Sequence, residues 1–196
     1  CAFILFNGSG SFGNNVTVLS RIQNYVIPRA QENGIYAVLS LGGGGAGPRD
    51  SYVAMTKDPE SRKILISNII NLINEYGFSG VDLDWETPTT EQAPYFTIFV
   101  KELREAVLKN NPHHIITAAI TGGKWQPSKY DLINSGQYLD FINVMTYGMT
   151  SSSTAYQNAL YPRSGYNDSV NKVGQTLSSC SIHESVTIFN NYGIPN

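Results

Sequence analysis

Hydrophobic runs and amphipathic stretches alternate along the whole chain. Near-continuous apolar runs predict parallel strands buried on both faces at residues 1–7, 35–41, 115–121 and 139–147, and an alternating run predicts a further strand at 81–86. Apolar residues recur at helical spacing between and after these runs and predict helices over residues 16–33, 59–76, 91–110, 127–135 and 169–192. We expect residues 46–57 to form a long loop.

Two of the predicted helices carry end signals. Asp58 stands at the N-cap position of the helix over 59–76, and Pro59 and Glu60 follow it in the first turn. Gly77 and Gly34 follow the last apolar positions of their helices, where a helix C-terminus favours a residue with positive φ. These signals fix the helix boundaries more firmly than the periodicity does.

Strict alternation of strands and helices predicts a parallel sheet with right-handed crossovers. An open doubly wound sheet would need a phosphate-binding glycine pattern after its first strand, and residues 8–15 have none. Polar residues instead recur where several strands end, which favours a (β/α)8 barrel: Asn7, Ser40, Thr121, Asn143 and Tyr147. Only five of eight strands are countable, so residues 1–196 are predicted to be a single, partial domain of the α/β class.

Three carboxylates, here called the acid row, occupy alternate positions of the third strand: Asp82, Asp84 and Glu86. Alternation sends them to one face and sends an apolar set to the other, under a helix: Val81, Leu83 and Trp85. Crowding and partial burial are expected to raise at least one carboxyl pKa. The alternative, a solvated edge strand, fits poorly with the apolar alternate face.

Composition narrows the classes of partner. Charged residues make up 14% of the chain and the formal net charge is −2, with no cluster of basic residues, so neither a nucleic acid nor a membrane surface is an expected partner. The apolar runs are much shorter than the roughly 20 residues that a membrane crossing needs. No signal peptide is visible in the sequence.

Residues 80–86, followed by Pro88, resemble the DxxDxDxE signature on the fourth strand of family-18 glycoside hydrolases, the chitinases and their relatives. Residues 40–43 are similar to the SxGG motif of that family's third strand, and residues 145–147 resemble its Met-x-Tyr-Asp segment on the sixth. The resemblance covers strands two to six of the barrel. It implies that the first strand and the last two βα units are not in this chain.

The resemblance implies a retaining hydrolase of β-1,4-linked N-acetylglucosamine polymers in which the substrate's own acetamido oxygen forms an oxazolinium intermediate. Glu86 would be the general acid and later the base, with a raised pKa. Asp84 would hold the acetamido N–H, Asp82 would share a proton or a hydrogen bond with Asp84, and Tyr147 would orient the acetamido group. Substrate contacts are expected from Met145, Trp125, Gly43 and Asn143.

No cofactor or metal is expected, because one flat strand presents carboxylate oxygens in a row rather than around a cation. Chitin or its oligosaccharides are the implied partners. The resemblance also implies an extracellular location, and the full-length protein is expected to be monomeric. Two family acids are replaced, by Ser79 and Gly148. The alternatives are an endo-β-N-acetylglucosaminidase acting on N-glycans and a non-catalytic, lectin-like chitin-binding relative.

Overall fold

The computed structural model describes residues 3–13, 16–123, 126–148, 158–161 and 181–194. Its strands are β1 (Phe3–Ile4), β2 (Val38–Gly43), β3 (Gly80–Trp85), β4 (Ile115–Thr121) and β5 (Phe141–Met145). Its α-helices are α1 (Val16–Arg21), α2 (Ile27–Glu32), α3 (Ala46–Thr56), α4 (Pro59–Tyr76), α5 (Ala93–Asn110), α6 (Gln126–Lys129), α7 (Leu132–Ser135) and α8 (Ile182–Asn191). A π-helical segment joins α1 to α2, and short 3-10 helices cover Thr90–Gln92 and Gly136–Tyr138.

The five strands form one parallel sheet in the order β1-β2-β3-β4-β5. The five predicted strands are therefore confirmed, and β4 has the predicted bounds. β1 is shorter than predicted because the chain turns after it: the Asn7 side chain accepts hydrogen bonds from the backbone N–H groups of Ser9 and Ser11. Phe6 then forms an antiparallel bridge with Phe12.

The prediction of a long loop over residues 46–57 was wrong, since α3 lies there. Gly47 and Pro48 lower the local helix propensity, but the helix is stabilised by packing. Tyr52 is fully buried, and its ring stacks on that of Trp85 with centroids 4.9 Å apart and planes 2° from parallel. Tertiary contact thus outweighs local composition in this segment.

The helix-end signals are confirmed. The Asp58 side chain accepts a hydrogen bond from the Ser61 backbone N–H, and Gly77 ends α4 with φ 79°. Gly34, with φ 63°, follows α2. The predicted final helix is present as α8, and residues 162–180, where it was predicted to begin, lie outside the described residues.

Packing of the helices on the outer face of the sheet builds the core. Trp85 is fully buried among the rings of α3 and α5, as predicted for the apolar side of the third strand. Within the described residues, β1 and β5 are each paired on one side only. The described sheet is therefore an open arc of a barrel. Helices cover its outer face, and its inner face carries the site.

A substitution at Gly42 can test how closely β2 and β3 approach each other near the site. Its φ is 101°, and a Cβ atom there would lie 2.3 Å from the Asp84 carbonyl oxygen and 2.7 Å from the Tyr52 ring. Gly34 has a positive φ, but no described residue lies within 4 Å of such an atom there. We expect Gly42→Ala to lower the free energy of unfolding by about 3 kcal/mol or more, against about 1 kcal/mol for Gly34→Ala, as measured by urea denaturation. Equal losses would contradict this close approach.

Candidate active site

Asp82 is the most strongly held member of the acid row, with 6% of its surface exposed. Its carboxylate accepts hydrogen bonds from three other strands: from Ser40 Oγ at 3.0 Å, from Thr117 Oγ1 at 2.5 Å and from Asn143 Nδ2 at 3.1 Å. Ser40 and Thr117 lie directly opposite Asp82 in the sheet. The predicted inward direction of this side chain is thereby explained, since all three partners are on the inner face.

Asp84 lies two residues further on and is 3% exposed. Its carboxyl hydrogen-bonds to that of Glu86, and such a pair of carboxyl groups requires a proton between them. Burial, together with the negative charges of Glu86 and Asp82, raises the pKa of Asp84 to about 7. The other oxygen, Oδ1, is buried and makes no hydrogen bond with any described residue.

These contacts correct one expectation about the acid row. Asp82 was expected to share a proton or a hydrogen bond with Asp84, but Asp82 is bonded to Ser40, Thr117 and Asn143 instead. Among the described groups, the hydrogen-bonded neighbour of Asp84 is Glu86, and Asp82 acts on Asp84 through its charge. The predicted raised carboxyl pKa is present, and it belongs to Asp84.

Glu86 follows the last residue of β3 and is partly exposed. Its carboxylate lies beside Gly44, where an added Cβ atom would come within 3.5 Å of Oε1. The peptide bond between Glu86 and Thr87 is cis.

The remaining predicted residues stand at the ends of β2 and β5. Gly43 pairs with Trp85, and Met145 pairs with Thr121 and is half-buried. Asn143, predicted as a substrate contact, has its amide nitrogen bonded to Asp82, and any contact of it with substrate stays a prediction. Tyr147 lies two residues beyond β5, and its side chain is 62% exposed. Trp125 lies outside the described residues.

Sequence reasoning missed three residues of the site. Thr117 is the polar residue within an otherwise apolar stretch of β4, a signal that marks a buried partner. Gly44 lies beside the Glu86 carboxylate. Tyr130 donates its hydroxyl to the Trp85 carbonyl oxygen, a contact across 45 residues that no local pattern reveals.

Comparison with known proteins agrees with this geometry. The family model described as glycosyl hydrolases family 18 matches residues 1–190. The chain belongs to glycosyl hydrolases family 18. It is 32% identical to the class V chitinase of Arabidopsis thaliana over 161 residues, which are 75% of this chain and 41% of that protein. It is also 32% identical, over 144 residues, to the probable chitinase 10 of Drosophila melanogaster, covering 67% of this chain and 6% of that protein.

Solved family-18 structures have the same fold as this chain. The Group IV chitinase of Ostrinia furnacalis, in complex with allosamidin, superposes with a TM-score of 0.81 at 25% identity, over 99% of this chain and 54% of that one. The class V chitinase from Nicotiana tobaccum gives a TM-score of 0.80 at 24% identity, over 100% of this chain and 56% of that one. The fold is an incomplete (β/α)8 barrel, as predicted, and the chain spans about half of these solved chains.

The two replaced acids of the family pattern differ in their surroundings. The Ser79 hydroxyl accepts a hydrogen bond from the Ala37 backbone N–H at 3.3 Å, at the end of β3 remote from the acid row, so this residue supports the strand. Gly148 has φ 62°, and among the described residues an added Cβ atom would meet nothing within 4 Å. No described residue therefore occupies the place of the replaced acid beside Tyr147.

The raised pKa of Asp84 predicts a pH-dependent stability. The folded state retains a proton on Asp84 up to about pH 7, whereas its ordinary pKa is 3.8, so this group's contribution to stability decreases as pH rises between these values. We expect Asp84→Asn to be stabilised relative to wild type by up to about 4 kcal/mol more at pH 8 than at pH 4, measured by urea denaturation. Asp50→Asn, at an exposed carboxylate, is the control. A difference that does not change with pH would contradict the assignment.

Proposed function

We propose that this chain carries the acid and base residues of a retaining, endo-acting hydrolase of β-1,4-linked N-acetylglucosamine polymers. The observation that carries the proposal is Oδ1 of Asp84, a buried acceptor that no described residue satisfies, in a carboxyl group whose other neighbour is Glu86. A buried carboxyl oxygen without a partner is costly unless a ligand or solvent satisfies it. An acetamido N–H is a donor of suitable chemistry.

The proposed reaction begins with proton transfer from Glu86 to the glycosidic oxygen as the bond from the anomeric carbon to that oxygen breaks. The carbonyl oxygen of the substrate's acetamido group forms a new bond to the anomeric carbon and gives an oxazolinium ion. Once this proton, which the two carboxyl groups share, has passed to the glycosidic oxygen, Asp84 accepts the acetamido N–H and stabilises the positive charge. Water then attacks the anomeric carbon as the bond from that carbon to the acetamido oxygen breaks, Glu86 takes a proton from the water, and the configuration is retained.

Tyr147 and Asp82 support this reaction in different ways. The exposed hydroxyl of Tyr147 is proposed to donate to the acetamido carbonyl oxygen and orient it for attack. Asp82, held by three donors, keeps a negative charge below Asp84 and so favours proton retention there until the substrate is bound. Met145 and Gly43 are proposed as substrate contacts at the ends of their strands.

The proposed substrate also determines the proposed location. Chitin lies outside the cells that degrade it, so we propose that the protein is secreted and acts as a monomer. None of the described helices combines the length and the hydropathy needed to cross a bilayer. The relatives named as chitinases support the choice of substrate.

Glu86→Gln keeps the shape of the side chain and removes the transferable proton. We expect kcat on N-acetylglucosamine oligomers to fall by about 10²–10⁴-fold while oligomer binding, measured by isothermal titration calorimetry, changes little. The matched control is Glu91→Gln, an exposed glutamate in the 3-10 helix before α5, which should leave both quantities unchanged. Full activity of Glu86→Gln would refute the assignment.

The two alternative functions give different results in the same assays. Cleavage of a high-mannose glycoprotein in preference to chitin oligomers would identify an endo-β-N-acetylglucosaminidase. Binding of oligomers by the wild-type chain without any turnover would identify a lectin-like protein. Either result would overturn the chitinase proposal.

Participation of the acetamido group can be tested with the substrate. We expect cellulose oligomers, which carry a hydroxyl in place of the acetamido group, to be cleaved at least about 10²-fold more slowly than chitin oligomers, because the internal nucleophile is missing. Proton NMR of the first product from chitin oligomers should show the β-anomer. Initial formation of the α-anomer, or comparable cleavage of cellulose oligomers, would contradict this mechanism.

A further inference from the structure

The end of β3 that carries Asp84 and Glu86 is paired to a neighbouring strand on one side only. Its ladder with β2 continues to the pair Gly43 and Trp85, whereas its ladder with β4 stops at the pair Leu83 and Ala118. The backbone beyond Leu83 therefore needs another hydrogen-bond donor on the β4 side.

Tyr130, between α6 and α7, supplies that donor. Its hydroxyl donates to the Trp85 carbonyl oxygen at 2.5 Å. Tyr130 thus contacts the residue that precedes Glu86. Since the Trp85 carbonyl belongs to the peptide group that begins Glu86, its direction restricts the Cα–Cβ direction of Glu86.

Tyr130 is itself fixed by contacts with the helix layer. It is 1% exposed, and its ring packs edge-to-face on Phe96 of α5 with centroids 5.2 Å apart. Its carbonyl oxygen accepts a hydrogen bond from the buried Ser135 hydroxyl at 2.7 Å. The following residue, Asp131, has φ 48°, and its carboxylate accepts hydrogen bonds from Thr97 and Asn134 that stabilise this uncommon conformation.

We propose that Tyr130 is a positioning residue, one that holds the carboxyl of Glu86 next to that of Asp84 by fixing the backbone that leads into Glu86. The effect of Tyr130 on catalysis rests on the proposed hydrolase function, whereas its effect on the positions of the two carboxyl groups does not. Burial and the charges of Asp84 and Glu86 raise the pKa of Tyr130, so the phenol keeps the proton that it donates.

The test is Tyr130→Phe, which removes the hydroxyl and keeps the ring. Tyr76→Phe is the matched control, because Tyr76 is also a buried tyrosine but ends α4 at the opposite end of β3.

The first measurement is the carboxyl titration of Asp84 by carbon-13 NMR. This pKa is raised by burial, by the charge and hydrogen bond of Glu86, and by the charge of Asp82. The other titratable groups near Asp84 are Tyr52 and Tyr130. We expect the Asp84 pKa to fall by about one unit in Tyr130→Phe and to stay constant in Tyr76→Phe.

The second measurement is turnover of N-acetylglucosamine oligomers. We expect about a tenfold fall in kcat with KM nearly unchanged, because the acid is misplaced while the substrate-binding groups remain. An unchanged Asp84 pKa in a folded Tyr130→Phe variant would overturn the positioning role, whatever the activity. A lowered pKa in a protein that hydrolyses nothing would sustain the positioning role and refute the proposed function.

A second variant covers the case in which Tyr130→Phe does not fold. Ser135→Ala removes the hydroxyl that donates to the Tyr130 carbonyl oxygen and so loosens the segment that holds this side chain. We expect the Asp84 pKa to fall in this variant also, by less than in Tyr130→Phe. A constant Asp84 pKa in a folded Ser135→Ala variant would count against the role of Tyr130 in holding Glu86.

Discussion

The carboxylate of Asp82 is the point at which the strands of the sheet are held in register around the site. It receives hydrogen bonds from β2, β4 and β5 while lying on β3, so four strands meet at one buried side chain. A register shift of one residue would turn every side chain of β3 to the opposite face. The acid row would then enter the helix layer and Trp85 would enter the barrel. The three hydrogen bonds therefore fix which side of the sheet carries the chemistry.

The two faces of β3 have opposite effects on stability. On the inner face, burial of Asp84 next to two other acids is unfavourable to its charged form and leaves one oxygen without a hydrogen bond to any described residue. On the outer face, Leu83 and Trp85 are almost fully buried, and Trp85 packs against aromatic rings of α3 and α5. Hydrophobic packing on one side of a six-residue strand thus offsets the cost of crowded carboxyl groups on the other.

Helix caps and strand alternation predicted the features that depend on residues close together in sequence. The caps at Asp58 and Gly77 bound α4 correctly, and the parity of the third strand gave the inward direction of Asp82. Helix α3 was missed because its stability comes from Tyr52 packing on a strand residue 33 positions away, which composition does not encode. The partners of Asp82 were missed for a related reason, since Thr117 and Asn143 lie 35 and 61 residues from it in sequence. Which carboxyl has the raised pKa depends on depth in the fold, and alternation alone does not give depth.

A parallel barrel must open its strand ends to admit a substrate, and that opening removes hydrogen bonds from the backbone that carries the acids. Two buried tyrosines of the helix layer supply hydrogen bonds to these strand ends. The ladder between β1 and β2 ends at Leu41, whose carbonyl accepts the Tyr52 hydroxyl at 2.8 Å, and the ladder between β3 and β4 ends two residues before the carbonyl that accepts Tyr130. Because both donors approach from outside the barrel, they satisfy the strand ends without occupying the space in front of Asp84 and Glu86. The site can therefore be open to a polymer on its inner face and rigid on its outer one.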